Sequence, residues 1–364
     1  MRVHVVDPPA FTPPYDHALC AALAAAGADV ELVTSRFGYG SVPGARGYRL
    51  REDFYRWAPG APGSRLRFGA RLAQHVPDML RYRRTAGAAD VVHLQWLTVQ
   101  PVDVGLLPRR PLVLTAHDVL PREPRPGQLA AQRRLYRRVD AVVVHSEHGR
   151  RRLVEGLGTP AERVHVVPHG AFEHLARQPE EQPLPPELAG VEGPVVLFFG
   201  LLRPYKGVDV LLEAWRGIEG AELWVAGMPR MPLEPLRAAA PPGVRFVPRF
   251  VTDPEIPALF RRADLVVLPY REIDQSGVLF TALAFGRPLV LTDVGGFPEV
   301  AATGAAALVP PGDPDALRAV LRDLIADPGR REAMGQAARR AAEGPYSWEE
   351  AARRTLEIYR SVCR

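Results

Sequence analysis

At 364 residues, with 47% hydrophobic and 24% charged side chains, the chain carries enough apolar material for two cores and too much for wholesale disorder. Its longest apolar runs, such as Val195-Val196-Leu197-Phe198-Phe199, have the length of a strand and fall far short of a membrane span. The formal net charge of +5 would ordinarily suggest a nucleic-acid partner, but all but one of the 46 basic residues are arginine and no asparagine occurs. That pattern is codon drift rather than selection for a basic surface, and with no aromatic–basic platform in view no nucleic-acid partner is expected.

The chain opens on Met1-Arg2-Val3-His4-Val5-Val6-Asp7 and then prolines, which reads as a first strand and not as a secretory signal. Cys20 and Cys363 stand at opposite ends with neither disulfide nor metal spacing, so the cytoplasm is the expected compartment. Short Val/Leu/Ile runs predict strands over 3–6, 30–33, 91–94, 112–115, 141–145 and 164–167, then over 195–199, 222–226, 244–247, 265–268 and 289–291. Helical stretches rich in alanine and arginine separate them, and continuous apolar strands alternating with helices signify parallel sheets covered on both faces. Gln178-Pro179-Glu180-Glu181-Gln182-Pro183-Leu184-Pro185-Pro186 breaks the alternation as a semi-rigid linker. The expected organisation is a Rossmann-like domain over 1–175, a linker over 176–194, a second Rossmann-like domain over 195–345, and a closing helix over 346–364 that crosses to the first domain. Ser347 and Glu350 form a capping box at the start of that helix, and Trp348, Leu356, Ile358 and Tyr359 supply its apolar contacts.

Several chemistries are missing from the sequence. The turn after the first strand, Asp7-Pro8-Pro9-Ala10-Phe11-Thr12-Pro13-Pro14, contains no glycine, so it is not a dinucleotide fingerprint. No P-loop and no histidine or cysteine cluster at metal spacing appears, and no metal or other cofactor is expected. Asp313-Pro314-Asp315 looks like a metal-binding pair but opens a helix, where an N-cap carboxylate is the better reading.

The strongest positive signal is Gly200-Leu201-Leu202-Arg203-Pro204-Tyr205-Lys206-Gly207-Val208-Asp209, at the carboxyl end of a buried strand, where open parallel sheets bind ligands. Arg203 and Lys206 can converge there on one anion and neutralise a diphosphate as a magnesium ion would, or be two ordinary cations on a solvated loop. Lysine is a compact point charge and arginine a planar fork, so one lysine surviving in an arginine-rich chain marks a place where a fork does not fit. A second signal is the loop Tyr270-Arg271-Glu272-Ile273-Asp274-Gln275 running into Ser276-Gly277-Val278, which opens an apolar helix containing Thr281. Free amides at a helix start form an anion site, although the same residues also make a common cap. In the first half His117 and Asp118 end one strand, and His93 and Trp96 lie at the end of another. They can contact a sugar or an acceptor, or pack beneath the loops.

Together these motifs resemble glycosyltransferase family 4, retaining enzymes of the GT-B fold. The likeness runs from the Arg203…Lys206-Gly207 loop to Thr292-Asp293-Val294-Gly295-Gly296-Phe297-Pro298-Glu299 and the Trp348 helix, and includes Ser146 and the turn Pro168-His169-Gly170. The resemblance implies an α/β fold of two doubly wound domains facing across a cleft, with Arg203 and Lys206 gripping the diphosphate of a nucleotide sugar. It also implies that the amides of Ser276 to Val278 bind the distal phosphate, that the backbone near Arg249-Phe250-Val251 holds the base, and that His117 lies beside the donor sugar and the acceptor. Two departures stand out. The family's Glu-x7-Glu pair falls here on Ile273 and Thr281, leaving Asp274 or Glu272 for sugar hydroxyls and a threonine hydroxyl for ribose. The paired glycines of its first loop are replaced by Pro8-Pro9 and Pro13-Pro14.

The expected activity is metal-independent, retaining transfer of a hexosyl-type sugar from a nucleoside diphosphate sugar to a hydroxyl of a saccharide, a lipid-linked acceptor or a small molecule. A GT-B sugar-nucleotide epimerase and a nucleotide-sugar-binding protein without catalysis are the alternatives. Arg133, Arg134, Arg137 and Arg138 on one helical face, followed by Arg150-Arg151-Arg152, offer peripheral contact with an anionic membrane or are a solvated basic face.

Overall fold

A computed structural model describes the whole chain except residues 39, 41, 62, 121–126 and 179–181. Two compact units result: Met1–Gly170 together with Trp348–Arg364, and Ala171–Ser347. The first holds β1 (Arg2–Asp7), β2 (Asp29–Ser35), β3 (Arg49–Phe54), β4 (Val91–Leu94), β5 (Leu112–Thr115), β6 (Ala141–Val144) and β7 (Val164–Val166). They form a parallel sheet in the order β3-β2-β1-β4-β5-β6-β7. The second holds β8 (Val195–Phe199), β9 (Glu222–Ala226), β10 (Val244–Val247), β11 (Leu265–Leu268), β12 (Leu289–Thr292) and β13 (Ala306–Val309), ordered β10-β9-β8-β11-β12-β13 and again parallel.

Central strands such as β4, β5, β6 and β11 are buried along their whole length, which is why they read as unbroken apolar runs. The two strands missing from the sequence expectation, β3 and β13, lie at sheet edges. β3 is Arg-Leu-Arg-Glu-Asp-Phe, half exposed and without an apolar run, while β13 is Ala-Ala-Leu-Val, apolar but short, alanine-rich and buried only at its last residue.

In the first unit the helix Pro13–Ala25 packs Tyr15, Leu19 and Leu23 into a cluster that also takes Ala352, Leu356, Ile358 and Tyr359 from the terminal helix Trp348–Val362. The segment expected to be a linker is instead fastened to the second unit. It starts on the last residue of the helix Glu173–Ala176 and contains the turn Pro186–Leu188. Arg261 donates to the carbonyls of Ala176 and Gln178, Arg245 to those of Glu187 and Ala189, and Arg262 to those of Val191 and Gly193. Pro179, Glu180 and Glu181 of the expected linker lie outside the described residues. Asp313 caps the helix Pro314–Ala326 by accepting from the amides of Asp315 (3.0 Å) and Ala316 (2.9 Å), the N-cap arrangement read from its sequence. No helix among the described residues is long and apolar enough to cross a membrane.

His93 ties the terminal helix to the sheet, with Nδ1 2.6 Å from Tyr359 Oη and Nε2 2.7 Å from Thr115 Oγ1. Tyr359→Phe removes one of these partners in a buried place. It is expected to lower unfolding free energy by about 1–3 kcal/mol in a denaturant titration, with little change in helix content.

Candidate active site

In the second unit, β8 and β11 are neighbours from which the chain winds in opposite directions. Beyond the carboxyl ends of such a pair an open α/β sheet takes its ligands. The loop after β8 carries Arg203 and Lys206, and the loop after β11 carries Asp274 to Val278. Continuing past Phe199, Gly200 N–H donates to Ala226 O (2.9 Å) and Leu202 N–H to Met228 O (3.0 Å). A turn over Pro204–Lys206 then brings Lys206 back over the strand end. A Cβ on Gly200 would lie 3.0 Å from Lys206 Nζ and 3.3 Å from Val278 Cγ2. The glycine leaves room for the ammonium, and the same spot touches the first turn of the helix Gly277–Ala284. Both phosphate-binding signals read from the sequence therefore meet at Gly200.

The ammonium is buried and sits 4.9 Å from the centre of the Tyr270 ring, a cation–π contact. Tyr270 opens the loop read from the sequence as the second signal, but its contact with Lys206 was not anticipated; an aromatic residue two positions past a buried strand was the available sign. Arg271 locks the two loops together. Its amide donates to Tyr205 O (2.7 Å), and its guanidinium donates to Pro204 O (2.8 Å) and to both carboxylate oxygens of Asp209 (2.9 and 2.6 Å). The Arg271 guanidinium holds the Asp209 carboxyl below its ordinary pKa. Gly207, at φ 67°, closes the turn where a Cβ would strike Pro269 O at 2.0 Å.

Asp274 and Ser276 are buried, Gln275 Oε1 accepts from Ser276 N–H (3.1 Å), and Leu279 N–H donates to Ser276 O (3.1 Å). The amides of Gly277 and Val278, at the helix start, have no carbonyl a turn earlier to accept from them. Asp274 O accepts from Gly296 N–H (3.3 Å), which ties the Val294-Gly295-Gly296 turn to this loop. Two further expectations are qualified. Thr281 donates its hydroxyl proton to Gly277 O (3.1 Å), so only its lone pairs remain for a ribose. Ile273 is buried, and Glu272 is exposed. Arg203 is exposed on its loop. After the edge strand β10, Phe250 is exposed and Val251 buried, on a loop braced by Arg249 against Glu255 (3.1 and 2.6 Å). That pairing and the Thr252 contacts pull the Glu255 carboxyl down to about 2.

In the first unit, His117, at the end of β5, is half-buried in a group of rings. It stacks on Trp96 (5.1 Å, 10°) and meets Tyr15 edge-on (4.7 Å). Tyr15 also touches His145 (5.4 Å), His169 (4.9 Å) and Trp348 (5.1 Å). The hydrogen bonds fix the tautomers. His145 Nδ1–H donates to Val167 O (3.0 Å), so its Nε2 lone pair accepts from His117 Nδ1–H (3.2 Å). His117 Nε2 is then a lone pair, 3.0 Å from the Gln95 side-chain amide. The atom there is Gln95 Oε1, and its Nε2 is buried without a partner; exchanging the amide's oxygen and nitrogen would give the lone pair a donor and satisfy both groups. His93, expected on the acceptor side, is instead part of the core, because it is buried and both nitrogens are used by Tyr359 and Thr115. Trp96 Nε1–H donates to Thr12 Oγ1 (2.9 Å), and Asp118 is half-buried beside His117. His145, Gln95 and Tyr15 were not singled out from sequence, and His169 only as part of the Pro168-His169-Gly170 turn, although a histidine closing the strand next to that of His117 was a usable sign. The proline-rich first loop is organised by Asp7, which accepts from the amides of Phe11 (2.6 Å) and Thr12 (3.3 Å) while Ala10 takes a positive φ of 53°. Among the described residues no three His, Cys, Asp or Glu side chains are grouped to hold a metal ion.

Two parallel doubly wound units, one with cationic loops at its switch point, define the GT-B class of glycosyltransferases. The chain belongs to the glycosyl transferase group 1/4-like family. Residues 14–170 match the family described as "Glycosyl transferase 4-like domain" and residues 193–327 match "Glycosyl transferases group 1". It is similar to the D-inositol 3-phosphate glycosyltransferase 1 of Catenulispora acidiphila, with 31% identity over 84% of this chain and 80% of that protein. Among solved structures it resembles the sucrose-phosphate synthase of Thermosynechococcus elongatus (TM-score 0.77, 19% identity, 99% and 98% of the two chains). It also resembles Anabaena Alr3699/HepE in complex with UDP-glucose (TM-score 0.73, 19% identity, 99% and 100%). These structures share the fold.

The histidine group generates a pH prediction. Burial, joined by repulsion from neighbouring histidines, lowers the pKa of His117 and His169 well below 6.5; burial brings His145 to about 4, and with the His145 charge brings His93 to about 3. The unfolded chain therefore binds more protons below pH 6.5, and stability is lost as pH falls from there toward 4. Each histidine contributes up to about 1.4 kcal/mol per pH unit. Calorimetry at pH 7, 6 and 5 is expected to show a steadily falling transition for the first unit, whereas a flat profile would mean these histidines are solvated.

Proposed function

We propose that this enzyme is a retaining glycosyltransferase that works without a metal ion, moving a hexosyl-type sugar from a nucleoside diphosphate sugar to an acceptor hydroxyl. The observation that carries the reading is the buried Lys206 ammonium, set beside Gly200 and the first turn of the helix Gly277–Ala284. Arg203 and Lys206 neutralise the diphosphate, the amides of Ser276 to Val278 receive its distal phosphate, and the loop at Phe250 and Val251 takes the base. Asp274 and Gln275 stand where the sugar leaves the phosphates.

The acceptor is a saccharide, a lipid-linked molecule or a small molecule, met in the cytoplasm. Its hydroxyl oxygen forms a bond to the anomeric carbon on the face from which the diphosphate departs. The anomeric carbon–oxygen bond breaks with its electron pair going to the diphosphate, and a departing phosphate oxygen takes the hydroxyl proton. Lys206 and the helix amides stabilise the charge that develops on the leaving group. His117, neutral at pH 7, acts through its Nε2 lone pair: a sugar hydroxyl can donate to it in place of Gln95. Trp96 and Asp118 line the acceptor side of the same unit.

A second reading, binding of a nucleotide sugar without turnover, draws support from Ile273 and Thr281, which offer no carboxylate to sugar or ribose. Thermal stabilisation by UDP, GDP, ADP and dTDP in EDTA separates the outcomes. One diphosphate is expected to raise stability by about 2.7 kcal/mol at a hundredfold excess over its Kd, and Lys206→Ala to abolish the effect. With a competent acceptor, Lys206→Ala is expected to lower kcat by about 10²–10³-fold, and EDTA to change nothing. No stabilisation by any of the four would contradict the donor site. Donor binding with no nucleotide release on any acceptor would favour the binding reading, and release without an acceptor would favour an epimerase.

A further inference from the structure

The helix Arg65–Thr85 buries His75, Asp78, Met79 and Tyr82 in the first unit, yet leaves five large apolar side chains in solvent. Leu66 and Phe68 are about two-thirds exposed, Leu72 half exposed, and Val76 and Leu80 40% exposed. Phe68, Leu72, Val76 and Leu80 recur every fourth residue and therefore follow one side of the helix. Trp57, 81% exposed, projects from a loop held alongside, its amide donating to Gln74 Oε1 (3.0 Å). An apolar stripe of this size in water needs an occupant.

The charge says which. The helix carries Arg65, Arg67, Arg71, Arg81, Arg83 and Arg84. Its one acid, Asp78, is buried, accepting from Tyr55 N–H (2.7 Å) and pairing with Arg81 (2.9 Å). At its N-terminal end a cavity of about 190 Å³ is lined by Arg36, Arg67 and Arg71 with the rings of Phe37 and Phe68, and by no carboxylate. Arg71 is fixed there by donating to Pro9 O (3.1 Å) and Ser35 Oγ (2.8 Å). A second copy of the chain would bring the same arginines face to face across a two-fold axis, and they would repel. A bilayer with anionic headgroups satisfies both features: apolar and aromatic side chains enter the interface, and guanidinium groups take phosphates.

We infer that the helix Arg65–Thr85 and the Trp57 loop dock the enzyme on an anionic lipid surface, with a lipid phosphate in the cavity formed by Arg36, Arg67 and Arg71. The inference goes beyond the transfer reaction and stands or falls separately from it. It also relocates the membrane contact expected from the sequence. The helix Gln128–Arg138 exposes Arg133, Arg134, Arg137 and Arg138, but among its large apolar residues only Leu129 is exposed, so it offers charge without an apolar stripe.

Flotation of the full chain with vesicles of phosphatidylglycerol and phosphatidylcholine, against vesicles of phosphatidylcholine alone, tests it. Binding to the anionic vesicles only is expected. Leu66→Glu/Leu72→Glu should weaken that binding about ten-fold or more, since each leucine loses its burial in the interface. Arg36→Ala/Arg67→Ala should weaken it several-fold, while the Ala variant of Arg133, Arg134, Arg137 and Arg138 should bind as the parent does. All these residues are exposed or line the open cavity, and unchanged thermal unfolding checks that the variants fold. The inference is overturned by absence of vesicle binding, by full binding of Leu66→Glu/Leu72→Glu, or by loss confined to the Gln128–Arg138 variant. It is equally overturned if Leu66→Glu/Leu72→Glu splits a solution dimer without affecting vesicle binding. Nucleotide-induced stabilisation, measured alongside, reports on the donor site independently.

Discussion

The second unit is arranged around one buried positive charge. An ammonium out of water is costly unless something compensates it, and Lys206 is compensated by the face of Tyr270 and by its position at the strand end. That position exists because residue 200 is a glycine and because Arg271 fastens the loop after β8 to the loop after β11. A charge held this way is already in place for the diphosphate proposed to bind there, which is the condition under which electrostatic stabilisation of a leaving group is most effective. The parallel sheet supplies the rest, since its switch point brings both loops to one edge.

The first unit solves the opposite problem. Its histidines are buried together and kept neutral, linked from Val167 O through His145 and His117 to Gln95, with Tyr15 and two tryptophans filling the space between rings. A chain of neutral imidazoles with fixed tautomers presents a defined acceptor lone pair at neutral pH, where an imidazolium would present only N–H donors. His93 lies one strand away and serves packing, because the terminal helix covers it.

Much of this was legible in the sequence, for physical reasons. Strands buried on both faces must be apolar throughout, so the central strands stood out, while the half-exposed edges β3 and β13 did not. Lys206 was legible because arginine had replaced every other lysine, and Gly200 because it ended a buried strand. The contacts that finish the site were not legible: the Tyr270 ring beneath the ammonium, the Arg271–Asp209 clasp and the His145 relay all join residues distant in sequence. Arginine side chains capping the carbonyls of Ala176 to Gly193 were equally invisible, which is why a proline-rich segment read as a free linker. The exposed stripe on Arg65–Thr85 was hidden because an amphipathic helix shows the same periodicity whichever side faces the core.

The central claim is that shape as well as charge at position 206 grips the diphosphate. Titration calorimetry of the nucleoside diphosphate that stabilises the parent protein, repeated on Lys206→Arg, tests it most directly. The account predicts binding weakened by about ten-fold or more although the charge is kept, because a planar guanidinium cannot occupy the space beside Gly200. Binding by Lys206→Arg as tight as that of the parent would contradict it and reduce the site to a simple positive patch.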